Sequence, residues 1–366
     1  MGTLRLLLAL SVAYGHFGSF LGFPLVPGDT AVESFYAVSG FYMTLVLNEK
    51  YPRGSFRLFL SNRFLRIFPV YTAITLAAIA LAAVAGTELW QNWTAAGVLS
   101  PAALGFILAT QAVIFAQDLY AFLCVIGGNL VFTSHFQTAQ TPLLSLAPIP
   151  QSWTLGVELW FYLLAPLIVR RGPLVIVGVI AASLTLRLVL QFGWDLAGDP
   201  WSYRFFPSEL ALFLAGALAY HVYRAPDPVA RRRLEAILAA SAVAIGVCLI
   251  VNRWNGMTRV ASVAFLVAAI IAVPHLFKST RSVAADRYAG EISYPLYLCH
   301  LLVASITGVV LTGPAWLSGW VNLVASLLLA AALYHFIDAP VDHWRQRRAE
   351  RTGAGARPDA LRPRAG

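Results

Sequence analysis

The chain has 366 residues, 59% of them hydrophobic and only 12% charged, with a formal net charge of +9. A soluble domain carries roughly twice that charged fraction, and stretches long enough to cross a bilayer recur from end to end. A soluble enzyme is excluded, and with no basic stripe interleaved with exposed aromatics in a soluble domain, so is a nucleic-acid-binding protein.

An all-α polytopic membrane protein is expected, with about ten transmembrane helices. They fall at roughly 4–26, 29–47, 67–86, 153–169, 173–192, 205–223, 235–252, 259–277, 293–312 and 318–337. The first segment, LRLLLALSVAYGHFGSFLGF, holds Arg5 and His16. Eleven helical steps bring them to nearly one face, roughly 16 Å apart along the axis. Arg5 is then expected at one membrane surface and His16 near mid-depth, where a buried imidazole is a functional candidate. The competing reading is a polar contact that fixes helix packing. No small-x-small cleavage site follows, so the segment is expected to be retained.

The second segment contains VESFYAVSGFYM. Glu33 follows a turn marked by Pro24, Pro27 and Gly28, so antiparallel pairing is expected to bring it towards His16. A carboxylate there would orient the imidazole for general-base work; an interfacial Glu in water is the alternative. Ser39 and Gly40 suit either a substrate contact or a small-residue notch between helices. In the loop FRLFLSNRFLRIFPVY, Arg63 and Arg66 lie three apart and share a helix face. They suit a phosphorylated ligand or anionic headgroups, although topology control explains most such loops. The apolar stretch at about 97–133 is broken by Pro101, Gly105, Asp118 and Gly127–Asn129, and is expected to be non-spanning or re-entrant.

Glu158, in QSWTLGVELWFYLLAPL, needs a partner inside the membrane, with Arg204 and His16 as the obvious candidates. Arg204 has Glu209 five residues on, which suits either an ion-pair network or direct substrate contact. ISYPLYLCHLLV carries Tyr294, Tyr297 and His300, the last one turn beyond Tyr297 and expected to face the bundle. Asp338 and Pro340 close the last span in YHFIDAPV.

Lys and Arg cluster in alternate loops, 22 of 26 on one side, which makes that side and both termini cytoplasmic. Cys124, Cys248 and Cys299 lie in apolar stretches without paired spacing, so neither a disulfide nor a metal site is expected. Residues 1–345 form one transmembrane domain, and 346–366 are expected to be a disordered basic cytoplasmic tail with no second globular domain.

Six motifs in order carry a resemblance: the Arg5/His16 pair, FYAVSGF from Phe35, NRFLRIFPVY from Asn62, SWTLGVELWFY from Ser152, ISYPLYLCH from Ile292, and the terminal IDAP. Together, from Arg5 to Pro340, they resemble the acyltransferase-3 family of integral membrane O-acyltransferases. The resemblance implies a bacterial inner-membrane enzyme that moves an acyl group, often acetyl, from acyl-CoA to a hydroxyl of a sugar-containing acceptor such as a surface glycan. By position Arg5 and His16 match its essential pair, and Arg63 and Arg66 its basic loop for the coenzyme A phosphates. His16 is expected as general base with Glu33 or Glu158 orienting it, Arg5, Arg63 and Arg66 are expected at the donor, and Ser39, Arg204, Tyr297 and His300 are expected to meet substrate. The chain departs from the family pattern in having Glu33 for Asp, Thr154 for Ser, Leu159 for a second Glu and Asp338 for Glu. The rival readings are a transporter or flippase for acylated glycans, which would use the same buried charges to line a path, and a membrane glycosyltransferase or polymerase. No internal repeat or inverted half supports the transporter. Loops that are short apart from 87–152 speak against the polymerase.

Overall fold

A computed structural model describes residues 1–18, 20–253 and 257–351. Most of the expected tail, from 352 onward, lies outside the described residues. Thirteen α-helices run in chain order as α1 (Gly2–Phe17), α2 (Gly28–Glu49), α3 (Phe56–Ala85), α4 (Glu88–Ala96), α5 (Pro101–Val113), α6 (Trp153–Ile168), α7 (Pro173–Trp194), α8 (Phe206–Tyr223), α9 (Pro228–Arg253), α10 (Met257–Thr280), α11 (Ala284–Val310), α12 (Ala315–Leu333) and α13 (Ala339–Arg351). Among the described residues, α2, α3, α7, α9, α10, α11 and the run of α12 into α13 are long and apolar enough to cross a membrane. The chain is an all-α polytopic membrane protein. The shorter or more polar α1, α6 and α8 occupy the remaining expected spans and pack against the others.

Burial separates the inside of the bundle from its rim. In α2, 78% of the apolar window is buried inside the protein, against 28% in α7. A more apolar helix whose surface is left open has its partner in lipid. The tightest seam joins α2 to α8. A Cβ on Gly40 would sit 1.8 Å from the Phe213 carbonyl oxygen, and one on Gly216 would sit 1.9 Å from that of Ala37. Two backbones meet where hydrogen alone fits, the close approach that small residues allow in membranes. Gly216→Val is therefore expected to force the helices apart at a cost of about 1–3 kcal/mol or more. The check is the thermal midpoint in detergent, which should fall by several degrees.

The N-terminal end of α1 is fixed to α11. Asp286 accepts hydrogen bonds from the backbone N–H of Gly2 and Thr3 and from the Thr3 hydroxyl, each at 2.9 Å. These N–H groups have no partner within the helix, and a carboxylate also suits the positive end of its dipole.

The 97–133 stretch holds no helix of spanning length among the described residues. Its helix α5 has 13 residues, about 20 Å, against a hydrocarbon core of about 30 Å. It is followed by an antiparallel hairpin, β1 (Leu123–Ile126) paired with β2 (Asn129–Phe132), which the sequence reading did not foresee. Gly127 and Gly128 both take positive φ, as a two-residue hairpin turn demands. That Gly-Gly pair was the available signal. The three cysteines are buried and unpaired.

Candidate active site

A cavity of about 1120 Å³ opens among the helices, above the common range of about 300–1,000 Å³ for small-molecule sites. Its wall follows α2 from Lys50 to Val32. Those eighteen helical steps span about 27 Å, nearly the whole hydrocarbon thickness. Nine lining side chains are Lys or Arg and four are Asp or Glu. The basic ones gather at one end, where Arg5, Arg63, Arg66, Arg281, Arg287 and Arg345 converge from α1, α3, α10, α11 and α13. A recess with this balance focuses a field that attracts anions.

The arginines differ in how they are held. Arg66 is committed: one guanidinium nitrogen lies 2.5 Å from Glu291 and another 3.2 Å from Asp338, which ties α3 to α11 and to the π turn that ends α12. Arg345 is bound to Asp342. Arg63 lies over the Phe59 ring at 5.8 Å, and its Nε is buried without a hydrogen-bond partner. Arg5 stands over Tyr42 at 6.0 Å. Arg63 and Arg66 share the cavity as their spacing predicts, but Arg63 is the one with a donor to spare.

Midway along the wall, α2 and α6 face each other across Ser39 and Glu158. One carboxylate oxygen of Glu158 accepts from the Ser39 hydroxyl and from the Tyr162 hydroxyl, the latter at 2.5 Å. In the Ser39–Gly40 pair, Ser39 stands in the cavity wall and Gly40 in the helix notch. The far end is closed by Phe35, Thr154 and Tyr297. The hydroxyls of Thr154 and Tyr297 lie 3.0 Å apart, and the Tyr297 hydroxyl also reaches the Gln151 carbonyl at 3.3 Å.

Beyond Tyr297 stand two histidines. The His300 ring lies 5.9 Å from that of Tyr297, and the His16 ring 5.2 Å from that of His300. His300 is fully buried, whereas His16 is exposed. The first span, expected to reach residue 26, ends earlier. Apolar residues continue to Val26, but α1 stops at Phe17 because Gly18 turns to φ 81°, so His16 occupies the last turn. Glu33 is buried at 4% exposure in the second turn of α2, at the same end of the bundle.

Three further pairings differ from expectation. Glu158 is held by hydroxyls and not by Arg204 or His16. Arg204 lies in the loop before α8, bonds Asp199 at 2.8 Å and stacks over Trp153 at 4.3 Å. Glu209 is paired at 2.5 Å with Arg187 of α7, both within 2% of complete burial. Arg204 cannot reach Glu209 usefully because the chain turns between them at Phe205 and Phe206. Arg187 was missed, although a lone arginine in an apolar run is itself a signal. Glu291, three residues before Tyr294, was missed as well; its meaning comes only from Arg66. Among the described residues no cluster of three or more metal-ligating side chains occurs.

The acyltransferase-3 family model, described as an acyltransferase domain, matches residues 2–335. Neither a curated protein nor a solved structure matches the chain significantly.

Proposed function

Because the chain belongs to the acyltransferase-3 family, and is thus a multi-pass membrane acyltransferase, we propose that it carries an acyl group, acetyl in the first instance, from acyl-CoA at the cytoplasmic face to a hydroxyl of a sugar-containing acceptor at the opposite face. The observation that carries this reading is the cavity: basic at one end, nearly a membrane thickness long, and ending one ring short of a histidine pair.

Each part of the wall has a task in this reading. The basic end is cytoplasmic, in keeping with the charge bias of the loops, and draws in the polyphosphate of the donor. Arg63, with its unpartnered Nε, and Arg5 make the direct contacts. Arg66 keeps the mouth in shape through its two carboxylates. Glu158 holds Ser39 and Tyr162 along the path of the pantetheine arm. The thioester then lies against Tyr297, whose hydroxyl turns from the Gln151 carbonyl to the oxygen that becomes negative in the transition state. The acceptor enters from the end where His16 is exposed and Glu33 is buried nearby. Its oxygen attacks the thioester carbon while its proton passes to His16. Collapse of the tetrahedral intermediate breaks the C–S bond, and the departing thiolate takes up the proton.

Purified protein in vesicles, given isotopically labelled acetyl-CoA on one side and a soluble oligosaccharide on the other, is the test. Label on the oligosaccharide, dependent on donor at the basic face, is expected; no binding of coenzyme A and no transfer overturns the reading. Within the same assay, Arg63→Gln should raise KM for the donor about tenfold or more with kcat little changed, the effect of losing one charge-assisted contact. Arg66→Gln should instead lower the thermal midpoint, because it leaves Glu291 and Asp338 without their cation.

A further inference from the structure

We propose that His300 is a positioning residue for His16, accepting a hydrogen bond from its imidazole N–H and so fixing which nitrogen faces the acceptor. This rests on the role of His16 as the base.

The tautomer of His300 follows from its surroundings. Its Nδ1 lies 2.7 Å from the Tyr297 carbonyl oxygen. A carbonyl oxygen only accepts, so Nδ1 carries the hydrogen, and in the neutral ring Nε2 is left as a lone pair. That Nε2 is buried and has no hydrogen-bond partner, a state that native interiors rarely tolerate without a functional reason. Three rings pack against His300: Tyr297, Phe17 and His16. Phe17 has no donor, and the Tyr297 hydroxyl is turned to Thr154 and Gln151. His16 is the neighbour with an N–H to offer.

The separation suits such a bond. The ring centres stand 5.2 Å apart with Nε2 still unpartnered, so turning the His16 ring to face it brings an N–H to about 3 Å. His16 is exposed on the final turn of its helix and has room to rotate, while His300 is held by packing and by its backbone bond. A fixed acceptor beside a mobile base selects one orientation of that base. The other His16 nitrogen is then a lone pair, ready to take the proton of an incoming hydroxyl.

Two substitutions separate this role from plain helix packing. Asparagine at 300 keeps an N–H where Nδ1 stands but offers nothing at the Nε2 position; glutamine places its carbonyl oxygen near Nε2. His300→Gln should keep kcat within about threefold of wild type, whereas His300→Asn should lose about tenfold or more in kcat with KM for acetyl-CoA unchanged. A residue that only satisfied the Tyr297 carbonyl would give the reverse ranking. Asparagine equal to or better than glutamine, with His16→Ala inactive, overturns the proposal and leaves the base assignment standing. An active His16→Ala overturns the base assignment itself. Independently of how the variants fold, ¹⁵N-histidine solid-state NMR of the wild-type protein in bilayers should show coupling across a bond from His16 N–H to His300 Nε2. Its absence overturns the proposal.

Discussion

His16→Ala is expected to lower acyl transfer by about 10²–10⁴-fold, the range lost when a positioned general base is removed. The thermal midpoint and acetyl-CoA binding should stay at wild-type values. The reason lies in where the side chain sits. His16 is exposed on the last turn of α1, so its removal opens no core cavity, and the one group that it strands is the small His300 lone pair. The cavity is lined as far as Tyr297, and neither His300 nor His16 is part of its wall. Binding and chemistry therefore separate in this variant. A kcat/KM within threefold of wild type would remove the imidazole from the mechanism.

Glu209→Ala is the variant expected to do most damage to stability. Its carboxylate is fully buried and lies 2.5 Å from the guanidinium of Arg187, itself 2% exposed and bonded at 3.1 Å to the Ser208 carbonyl. Removing one member leaves a charge without its counterion in a low-dielectric interior, at a cost of about 3–5 kcal/mol. Replacing both together, Arg187→Met with Glu209→Leu, should recover much of that loss, since apolar pairs of similar volume often match buried ion pairs in stability. Thermal unfolding of the two single variants and the double variant completes a double-mutant cycle. Single variants that melt within a degree of wild type would show that the pair is hydrated and not buried as described.

Some of the site was legible in the residues alone. Arg63 and Arg66 share the cavity because a three-residue spacing fixes one helix face whatever surrounds it. Ser39 sits in the cavity wall and Gly40 in the packing notch, which follows from adjacent positions pointing about 100° apart. Tyr297 and His300, one turn apart, stack as neighbours for the same reason. Where a helix stops was harder to read. The first apolar run continues past Phe17, and only the backbone at Gly18 ends the helix and leaves His16 in its last turn. The hairpin at 123–132 was hidden in the same way, because an apolar stretch shows its strands only when its turn residues are read as a turn.

The sequence by itself determined that this chain lives in a membrane, that it is helical, which end carries its positive charge, and which few polar residues must find company inside. Those properties are local: an apolar run of given length, a spacing, a biased loop. Which polar groups meet was decided by the tertiary structure alone. Arg66 is 225 residues from Glu291 and 272 from Asp338 in the chain, and Glu158 is 119 residues from Ser39. Such partners are chosen by how each helix rotates and slides against its neighbours. In a medium without water every buried donor and charge must be answered by another side chain or by a substrate. Packing therefore assigned Arg187 to Glu209 and left Arg204 to Asp199.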